Sequence, residues 1–180
     1  MIELNYSLNK EDYLNFQLFA ATKNPVIKKQ RLISRFLILL ILALIGFLFL
    51  NTNTLIACYF FLAAVAFFLI YPLYSKWFYK RHFKKHVDQF FDPGVGVISV
   101  GFDDENMYLA DKKSNSSVKL RELLGITEIA NYFLIQVTKA NYVIIPRREV
   151  EDIEKLRDYL QKCSKKVDIP YSVELNWKWK

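Results

Sequence analysis

The chain has 180 residues, of which 53% are hydrophobic, and carries a formal net charge of +7 at pH 7. A chain of this length forms one or two modest units, and its basic excess indicates an anionic partner, either nucleic acid or a lipid surface. The cysteines Cys58 and Cys163 lie in an apolar block and in a charged segment. We therefore predict two free thiols, as expected for a reducing cytoplasmic side, instead of a disulfide.

The first 31 residues are polar and predict a cytoplasmic strand followed by an amphipathic helix. Residues 2–6 alternate apolar and polar side chains, as in a strand. Asn9 can then cap a helix that runs to about Lys23. This helix would lie on lipid headgroups or pack on a soluble domain, and the pattern does not choose between them. No cleavable signal sequence is expected, because the first apolar run begins only after this polar segment.

Two apolar runs follow, and each is long enough to span a bilayer as a helix. Residues 32–50 would reach about 28 Å and residues 55–74 about 30 Å, against a hydrocarbon core of about 30 Å. The Asn-Thr-Asn-Thr stretch at 51–54 supplies side chains that can cap helix ends and satisfy a turn. We predict a transmembrane helical hairpin over residues 32–75, with Pro72 ending or bending its second span.

Basic residues flank the predicted hairpin on both sides, whereas its tip is uncharged. The positive-inside rule then places both termini in the cytoplasm of a bacterial cell and the turn at 51–54 outside its inner membrane. The residues to which we assign a role in topology and in binding anionic headgroups are Lys28, Lys29, Arg31, Arg35, Lys76, Trp77, Lys80, Arg81, Lys84 and Lys85. Nucleic-acid binding is the alternative for the basic juxtamembrane segment 76–92, but lipid explains the same composition better beside a membrane exit.

The two spans carry no ionisable residue between Phe36 and Ser75. Transporters and pumps usually need such groups to bind ions or relay protons, so we do not expect this chain alone to transport solutes. Small residues allow close helix contact, and those that we assign to helix packing are Gly46, Ala63, Ala64 and Ala66. We favour packing inside one hairpin over a dimer interface.

Residues 93–180 have a different pattern, which predicts a small soluble α+β domain. Short β-rich runs separated by polar turns indicate an antiparallel sheet. The runs are 95–102, 106–110, 117–120, 126–129, 132–138 and 142–145. An amphipathic helix is predicted over 147–164, where it would cap the sheet. The tail 171–180 alternates again, and we interpret it as a strand beside the N-terminal one; the alternative places Trp177 and Trp179 in the membrane interface, with Lys178 and Lys180 at headgroups.

Several stretches together resemble a known family, the YcxB-like proteins of bacteria. They are the opening YSLNKEDYLNFQLF, the basic lead-in KKQRLISRF, the span exit YPLY and the late segment YVIIPRREV. The resemblance covers nearly the whole chain. It implies a two-span membrane protein whose cytoplasmic domain has a pleckstrin-homology-like fold, and it supplies no catalytic residues to carry over.

Candidate chemical sites are few. His82 and His86 have the spacing of a metal pair on a helix, but basic neighbours surround them and no cysteine or carboxylate completes a site. The acidic cluster at 103–105 could hold a divalent cation, yet it lacks the spaced ligands of a calcium loop, and we interpret it as a hairpin turn. We therefore expect no catalytic residues, no metal site and no cofactor.

These patterns favour a non-enzymatic membrane protein over an enzyme. In our interpretation, the hairpin anchors a cytoplasmic domain that binds a protein partner or lipid headgroups. Within this class we single out an immunity role against a membrane-acting toxin. The alternative is an accessory subunit of a larger membrane transporter or enzyme complex.

Overall fold

The computed structural model describes residues 2–92, 94, 96–112, 114–139 and 141–179. It divides into two compact units. The sheet unit comprises Met1–Tyr13 and Phe90–Lys178, and the hairpin unit comprises Leu14–Gln89 and the end of the chain from Trp179. Pro93, Val95 and Lys180, on which predictions about a turn, a strand start and a headgroup anchor fall, lie outside the described residues.

The first sheet of the sheet unit has four antiparallel strands. They are β1 (Ile2–Ser7), β2 (Val97–Phe102), β3 (Asn106–Ala110) and β4 (Asn115–Lys119), in that spatial order. The pairing of β1 with β2 joins strands that are separated in sequence by the whole apolar region. The predicted N-terminal strand is thereby confirmed, with Tyr6 buried on its inner face.

The second sheet also has four strands, one of which is parallel to its neighbour. Its members are β5 (Gly125–Ile129), β6 (Tyr132–Gln136), β7 (Tyr142–Pro146) and β8 (Tyr171–Glu174), in the spatial order β7-β6-β5-β8. The expected antiparallel pairing is confirmed among β1–β4 and among β5–β7. The expectation of one sheet is wrong, because there are two, and β8 pairs parallel with β5. The tail strand is also not beside β1. A parallel neighbour needs a crossover connection, and the C-terminal helix lies between β7 and β8 in the chain.

That helix, α4, spans Ile153–Val167. The sequence predicted its start at 147, but Arg147–Glu149 form only a short 3-10 turn. The α-helix begins after Asp152, whose side chain accepts a hydrogen bond from the Lys155 amide at 2.9 Å, as expected of an N-cap. It ends at Asp168, which has the left-handed φ of 56°.

Both sheets and α4 share one hydrophobic core. The contributors from the first sheet are Val100, Phe102 and Met107; those from the second are Ile126, Phe133, Ile135 and Ile145; those from α4 are Leu156, Leu160 and Cys163. The predicted amphipathic helix thus buries its apolar face in this core. Both cysteines are free, as predicted.

Three helices precede β2 in the chain. They are α1 (Lys10–Lys23), α2 (Pro25–Phe49) and α3 (Thr54–Phe90). Asn24 caps α2 by accepting a hydrogen bond from the Val26 amide at 2.9 Å, and Pro25 occupies the first turn, where its missing amide costs nothing. The most apolar parts of α2 and α3 have high mean hydropathy and only 6% and 11% of their residues buried, which is compatible with membrane localisation.

The second apolar helix is longer than the sequence suggested. α3 has 37 residues and continues through Pro72 to Phe90, so it includes most of the basic segment predicted at 76–92. Pro72 therefore does not end the helix. A proline in a helix leaves the carbonyl four residues earlier without its amide partner, and in α3 a side chain from α2 compensates for that loss.

Candidate functional site

Pro72 of α3 lies near Arg31 and Arg35 of α2, at the base of the hairpin. Because Pro72 has no amide hydrogen, the Phe68 carbonyl has no donor one turn later. Arg35 of α2 fills this role, donating from Nε to the Phe68 oxygen at 3.1 Å. Its guanidinium also lies over the Phe68 ring, 3.8 Å from the centroid, in a cation–π contact.

Arg31, one helical turn before Arg35, is held by a second pair of contacts. Its Nε donates to Oγ of Ser75 at 2.9 Å, and Ser75 is buried within α3. The guanidinium lies 5.3 Å from the ring centroid of Trp179 and 5.8 Å from that of Tyr79. Both arginines are thus oriented by a hydrogen bond from Nε and by contact with aromatic rings.

The two arginines line a cleft of about 220 Å³ at the base of the hairpin. The full lining is Lys28, Arg31, Leu32, Arg35, Tyr71, Pro72 and Ser75. The spacing of Lys28, Arg31 and Arg35 places their side chains on one face of α2. None of the described residues that line the cleft is an Asp or Glu, and the sequence has neither from Tyr13 to Val87. We name this feature the basic cleft.

Trp179 is one of the two aromatic residues that contact the Arg31 guanidinium. Its indole Nε1 donates to the Lys76 carbonyl at 3.0 Å, its ring is 6.4 Å from that of Tyr79, and it is buried. The predicted tail strand is therefore confirmed only at its start, in β8, and Trp179 lies beyond its end.

The other basic residues assigned from the sequence lie outside the cleft. Lys29 is exposed on α2, next to the cleft-lining Lys28. On α3, the Arg81 guanidinium lies 5.2 Å from the Trp77 ring centroid, and Trp77 is exposed. The remaining exposed cations of this helix are Lys76, Lys80, Lys84 and Lys85. The structure thus brings together Lys28, Arg31 and Arg35 and leaves the others dispersed.

The small residues divide between the inside and outside of the hairpin. Gly46, Ala57 and Ala64 are buried, and a Cβ at Gly46 would lie 3.3 Å from the Ala57 carbonyl oxygen. Ala63 is partly buried and Ala66 is exposed. Gly46 therefore allows close approach of the two backbones within one hairpin.

The histidines do not form a metal site among the described residues. Nδ1 of His86 is 3.3 Å from Nε2 of Gln17, and the His82 ring stacks on Phe78 with 6.4 Å between centroids. The acidic cluster at 103–105 is a β2–β3 turn, as predicted. Hydrogen bonds to Asp103 from the Tyr108 hydroxyl and from the amides of Glu105 and Asn106 lower the pKa of Asp103 to about 2.

Sequence reasoning missed a buried carboxylate in the sheet unit. Asp12 accepts two hydrogen bonds from Arg148, at 2.7 and 2.8 Å, and one from the Tyr132 hydroxyl at 2.9 Å. Its carboxylate and the Asn9 side chain also bond each other's backbone amides, as in a capping box. Burial alone would raise the pKa of Asp12, but the hydrogen bonds from Arg148, Asn9 and Tyr132, with the Arg148 charge, hold it below its ordinary value.

A second buried carboxylate, Glu128 of β5, is also paired. Arg157 of α4 donates to it at 2.6 Å, Arg147 lies 3.2 Å away, and the Tyr171 hydroxyl donates at 2.9 Å. Burial opposes ionisation, yet the hydrogen bonds from Arg157 and Tyr171 and the charges of both arginines lower the pKa of Glu128. Since both carboxylates stay ionised and paired, they serve the structure of the sheet unit and are poorly suited to proton transfer. No spacing in the sequence joins Asp12 to Arg148, so only the fold reveals them.

The fold and the basic cleft together define an α+β protein that combines two apolar, span-length helices with a two-sheet unit. Within the sheet unit, residues 102–160 match the sequence model of a family described as YcxB-like protein. The resemblance to YcxB-like proteins is thereby confirmed for this segment, which contains the stretch YVIIPRREV. The other three stretches that carry the resemblance lie outside the match. Comparison with curated proteins and with solved structures found no match.

Proposed function

We propose that this protein is a non-enzymatic bacterial inner-membrane protein, in which the α2–α3 hairpin anchors the sheet unit on the cytoplasmic side. The pairing of β1 with β2 carries this proposal. These strands precede and follow the two apolar helices, so an odd number of membrane crossings would separate them and break six paired positions. Two crossings keep them on one side, and the basic flanks support the proposal that this side is the cytoplasm.

The order of elements in the sheet unit supports a pleckstrin-homology-like architecture. Four antiparallel strands form one sheet, three more form the main part of a second sheet, and a helix follows. Such a unit suits binding better than catalysis, because its buried carboxylates are paired with arginines. We assign it the binding of a protein partner, and the membrane-proximal basic residues the binding of anionic headgroups.

Thiol labelling tests the topology. In a Cys58→Ala background, the paired variants Thr52→Cys and Ser117→Cys place one exposed thiol at the hairpin tip and one on β4. A membrane-impermeant maleimide should label the tip thiol in intact cells and the β4 thiol only after permeabilisation. Labelling of the β4 thiol in intact cells, or extraction of the protein by alkaline carbonate, would contradict the proposal.

The role of the anchored unit is proposed to be immunity against a membrane-acting toxin. A self-contained hairpin can meet a pore-forming toxin within the bilayer, and the buried positions of Gly46, Ala57 and Ala64 favour it over an accessory subunit. These small residues pack inside the hairpin and are not free for a neighbouring subunit. Deletion of the gene should sensitise cells to a toxin encoded beside it, and restored expression should reverse the effect. Unchanged survival after deletion would remove the immunity role without affecting the topology.

A further inference from the structure

We propose that a cavity in the sheet unit binds one uncharged small molecule, which presents a carbonyl oxygen to the hydroxyl groups of Tyr6 and Tyr13. The cavity has a volume of about 270 Å³. Its walls come from β1, β2, β3 and β7, together with the first turn of α1. We name it the tyrosine cavity, after the two tyrosines. The proposal concerns the sheet unit alone and does not depend on its topology or on the immunity role.

The hydroxyl of Tyr6 is the observation that points to a ligand. Tyr6 is only 3% exposed and its side chain lines the cavity, yet no described residue hydrogen-bonds to its hydroxyl. Buried polar groups almost always have a partner, because an unpaired donor loses its hydrogen bonds to water and gains nothing in return. Burial raises the pKa of Tyr6, and the Tyr13 phenol raises it further. The group is therefore a neutral hydrogen-bond donor that lacks an acceptor.

Tyr13 supplies a second hydroxyl to the same cavity. Its ring lies edge-on to that of Phe91, with 5.6 Å between the centroids, and this contact orients the phenol. No described residue hydrogen-bonds to the Tyr13 hydroxyl either. A carbonyl oxygen has two lone pairs, so a single ligand carbonyl has an acceptor site for each of the two phenols.

The charges around the cavity favour an uncharged ligand. Burial raises the pKa of Tyr13, and the negative charges of Asp111 and Asp12 raise it further, so an anion beside this hydroxyl would be repelled. None of the described residues that line the cavity is Lys, Arg or His. A buried cation would need a carboxylate as its partner. Asp12 is already paired with Arg148, and the Asp111 carboxylate already accepts from the Ser114 amide at 2.7 Å.

The size and the apolar walls of the cavity define the body of the ligand. Leu8, Ile98 and Val143 line it, and such side chains favour an apolar ligand. An apolar cavity of about 150 Å³ is enough for benzene, so this larger one accommodates a substituted ring. A second cavity of about 600 Å³ shares Leu8, Tyr13 and Ile98 with it and leaves room for a longer substituent. The ligand class is therefore a ring compound that carries a carbonyl group.

Four probes of nearly the same shape test the proposal. They are acetophenone, α-methylstyrene, benzoate and benzamidinium, each a phenyl ring with a three-atom planar group. They carry, respectively, a carbonyl oxygen, no acceptor, a negative charge and a positive charge. Equilibrium dialysis of the full-length protein in detergent measures the bound probe, and empty micelles correct for partitioning. Acetophenone should bind more tightly than each of the others, and about fivefold more tightly than α-methylstyrene.

Variants locate the binding at the two hydroxyls. Tyr6→Phe should weaken acetophenone binding about fivefold without changing α-methylstyrene binding, and it should leave the ligand-free protein as stable as before, because no hydrogen bond is lost. Tyr108→Phe is the matched control on β3, outside the described lining, where the hydroxyl donates to Asp103 at 2.6 Å. It should bind acetophenone as the wild type does. If Tyr6→Phe fails to fold, Tyr13→Phe decides, since it retains the ring that contacts Phe91.

Each of four results would overturn the proposal. Equal binding of acetophenone and α-methylstyrene would show that the hydroxyl groups do not recognise the ligand. An equal loss of acetophenone binding in Tyr108→Phe would place the binding outside the tyrosine cavity. Tighter binding of benzoate or benzamidinium would assign the cavity to a charged ligand. Binding of no probe above the level of empty micelles would leave the cavity to water.

Discussion

Arg35 donates to the Phe68 carbonyl the hydrogen bond that Pro72, which has no amide hydrogen, cannot donate. The 3.1 Å hydrogen bond from Arg35 Nε explains how α3 continues through a proline and why a charged residue is retained near the apolar part of α2. Unpaired backbone carbonyls are costly at membrane depth. The hydrogen bond between Arg35 and the Phe68 carbonyl therefore fixes the register of α2 and α3 at the base of the hairpin, where the basic cleft forms.

A double-mutant cycle tests this coupling between Arg35 and Pro72. Arg35→Met should lower the free energy of unfolding by about 1 to 2 kcal/mol, because the hydrogen bond and the cation–π contact are both lost. In a Pro72→Ala background, the cost should be smaller by about 0.6 kcal/mol, because an amide at position 72 can then donate to the Phe68 carbonyl. Unfolding in mixed micelles by SDS titration measures all four proteins. Additive effects would show that Arg35 does not compensate for Pro72.

The tight packing around Gly46 predicts that stability falls steeply as the side chain at this position grows. A Cβ there would meet Phe61, Ala57 and Phe60 at 3.2 to 3.3 Å, so Gly46→Leu should cost about 1 to 3 kcal/mol through overpacking. Ala66→Leu is the matched control on the exposed face and should change stability by less than about 0.5 kcal/mol. Thermal unfolding in detergent compares the two. A larger loss for the control would place the critical packing face on the outside of the hairpin.

The sequence predicted the parts of this fold that depend on local patterns. Alternation located β1, and short β-rich runs between polar turns located β2 to β7 within a few residues. The lack of charge from Phe36 to Ser75 located the two apolar helices. Long-range relationships were not predictable in this way. The parallel pairing of β8 with β5 and the buried Asp12–Arg148 pair depend on chain crossings that no local spacing encodes.

The candidate site was also only partly predictable from the sequence. Composition identified the nine assigned basic residues that flank the hairpin, but it gave no reason to distinguish among them. Only the antiparallel packing of α2 and α3 selects Lys28, Arg31 and Arg35 and places Ser75 opposite them. The role of Trp179 was also hidden, because an alternating tail is typical of a strand and gives no sign that its last apolar residue contacts Arg31.

The thiol of Cys163 should report on opening of the sheet unit. Cys163 is buried, and burial raises the pKa of its thiol, although the Lys166 charge opposes the shift. In a Cys58→Ala background, Cys163 should therefore react with maleimide roughly a hundredfold or more slowly than an exposed thiol introduced by Ser117→Cys. Leu156→Ala, which removes a core contact on α4, should accelerate labelling strongly, since such truncations cost about 2 to 5 kcal/mol. Equal rates for the two thiols would contradict a closed core.

Acid should destabilise the sheet unit through Asp12 and Glu128. The folded state lowers the pKa of both carboxyl groups, so the unfolded chain binds protons more readily than the folded one. Their stabilising contribution is complete above the unfolded pKa values of about 4 and is lost as the pH falls below them. Urea unfolding of the full-length protein in detergent, followed by the β-sheet circular dichroism signal, should give a free energy that decreases from about pH 5 to pH 3.

Substitution at Asp12 separates this effect from general acid denaturation. Asp12→Asn should cost about 3 kcal/mol at neutral pH, because Arg148 loses its buried partner, and should flatten the pH dependence below pH 5. Asp158→Asn removes a carboxylate from an exposed position on α4 and should cost less than about 0.5 kcal/mol at neutral pH. If Asp12→Asn retained the full wild-type decrease, acid sensitivity would have to arise elsewhere. The carboxylate of Asp12 would then contribute to the fold through its hydrogen bonds without being the group whose protonation destabilises it.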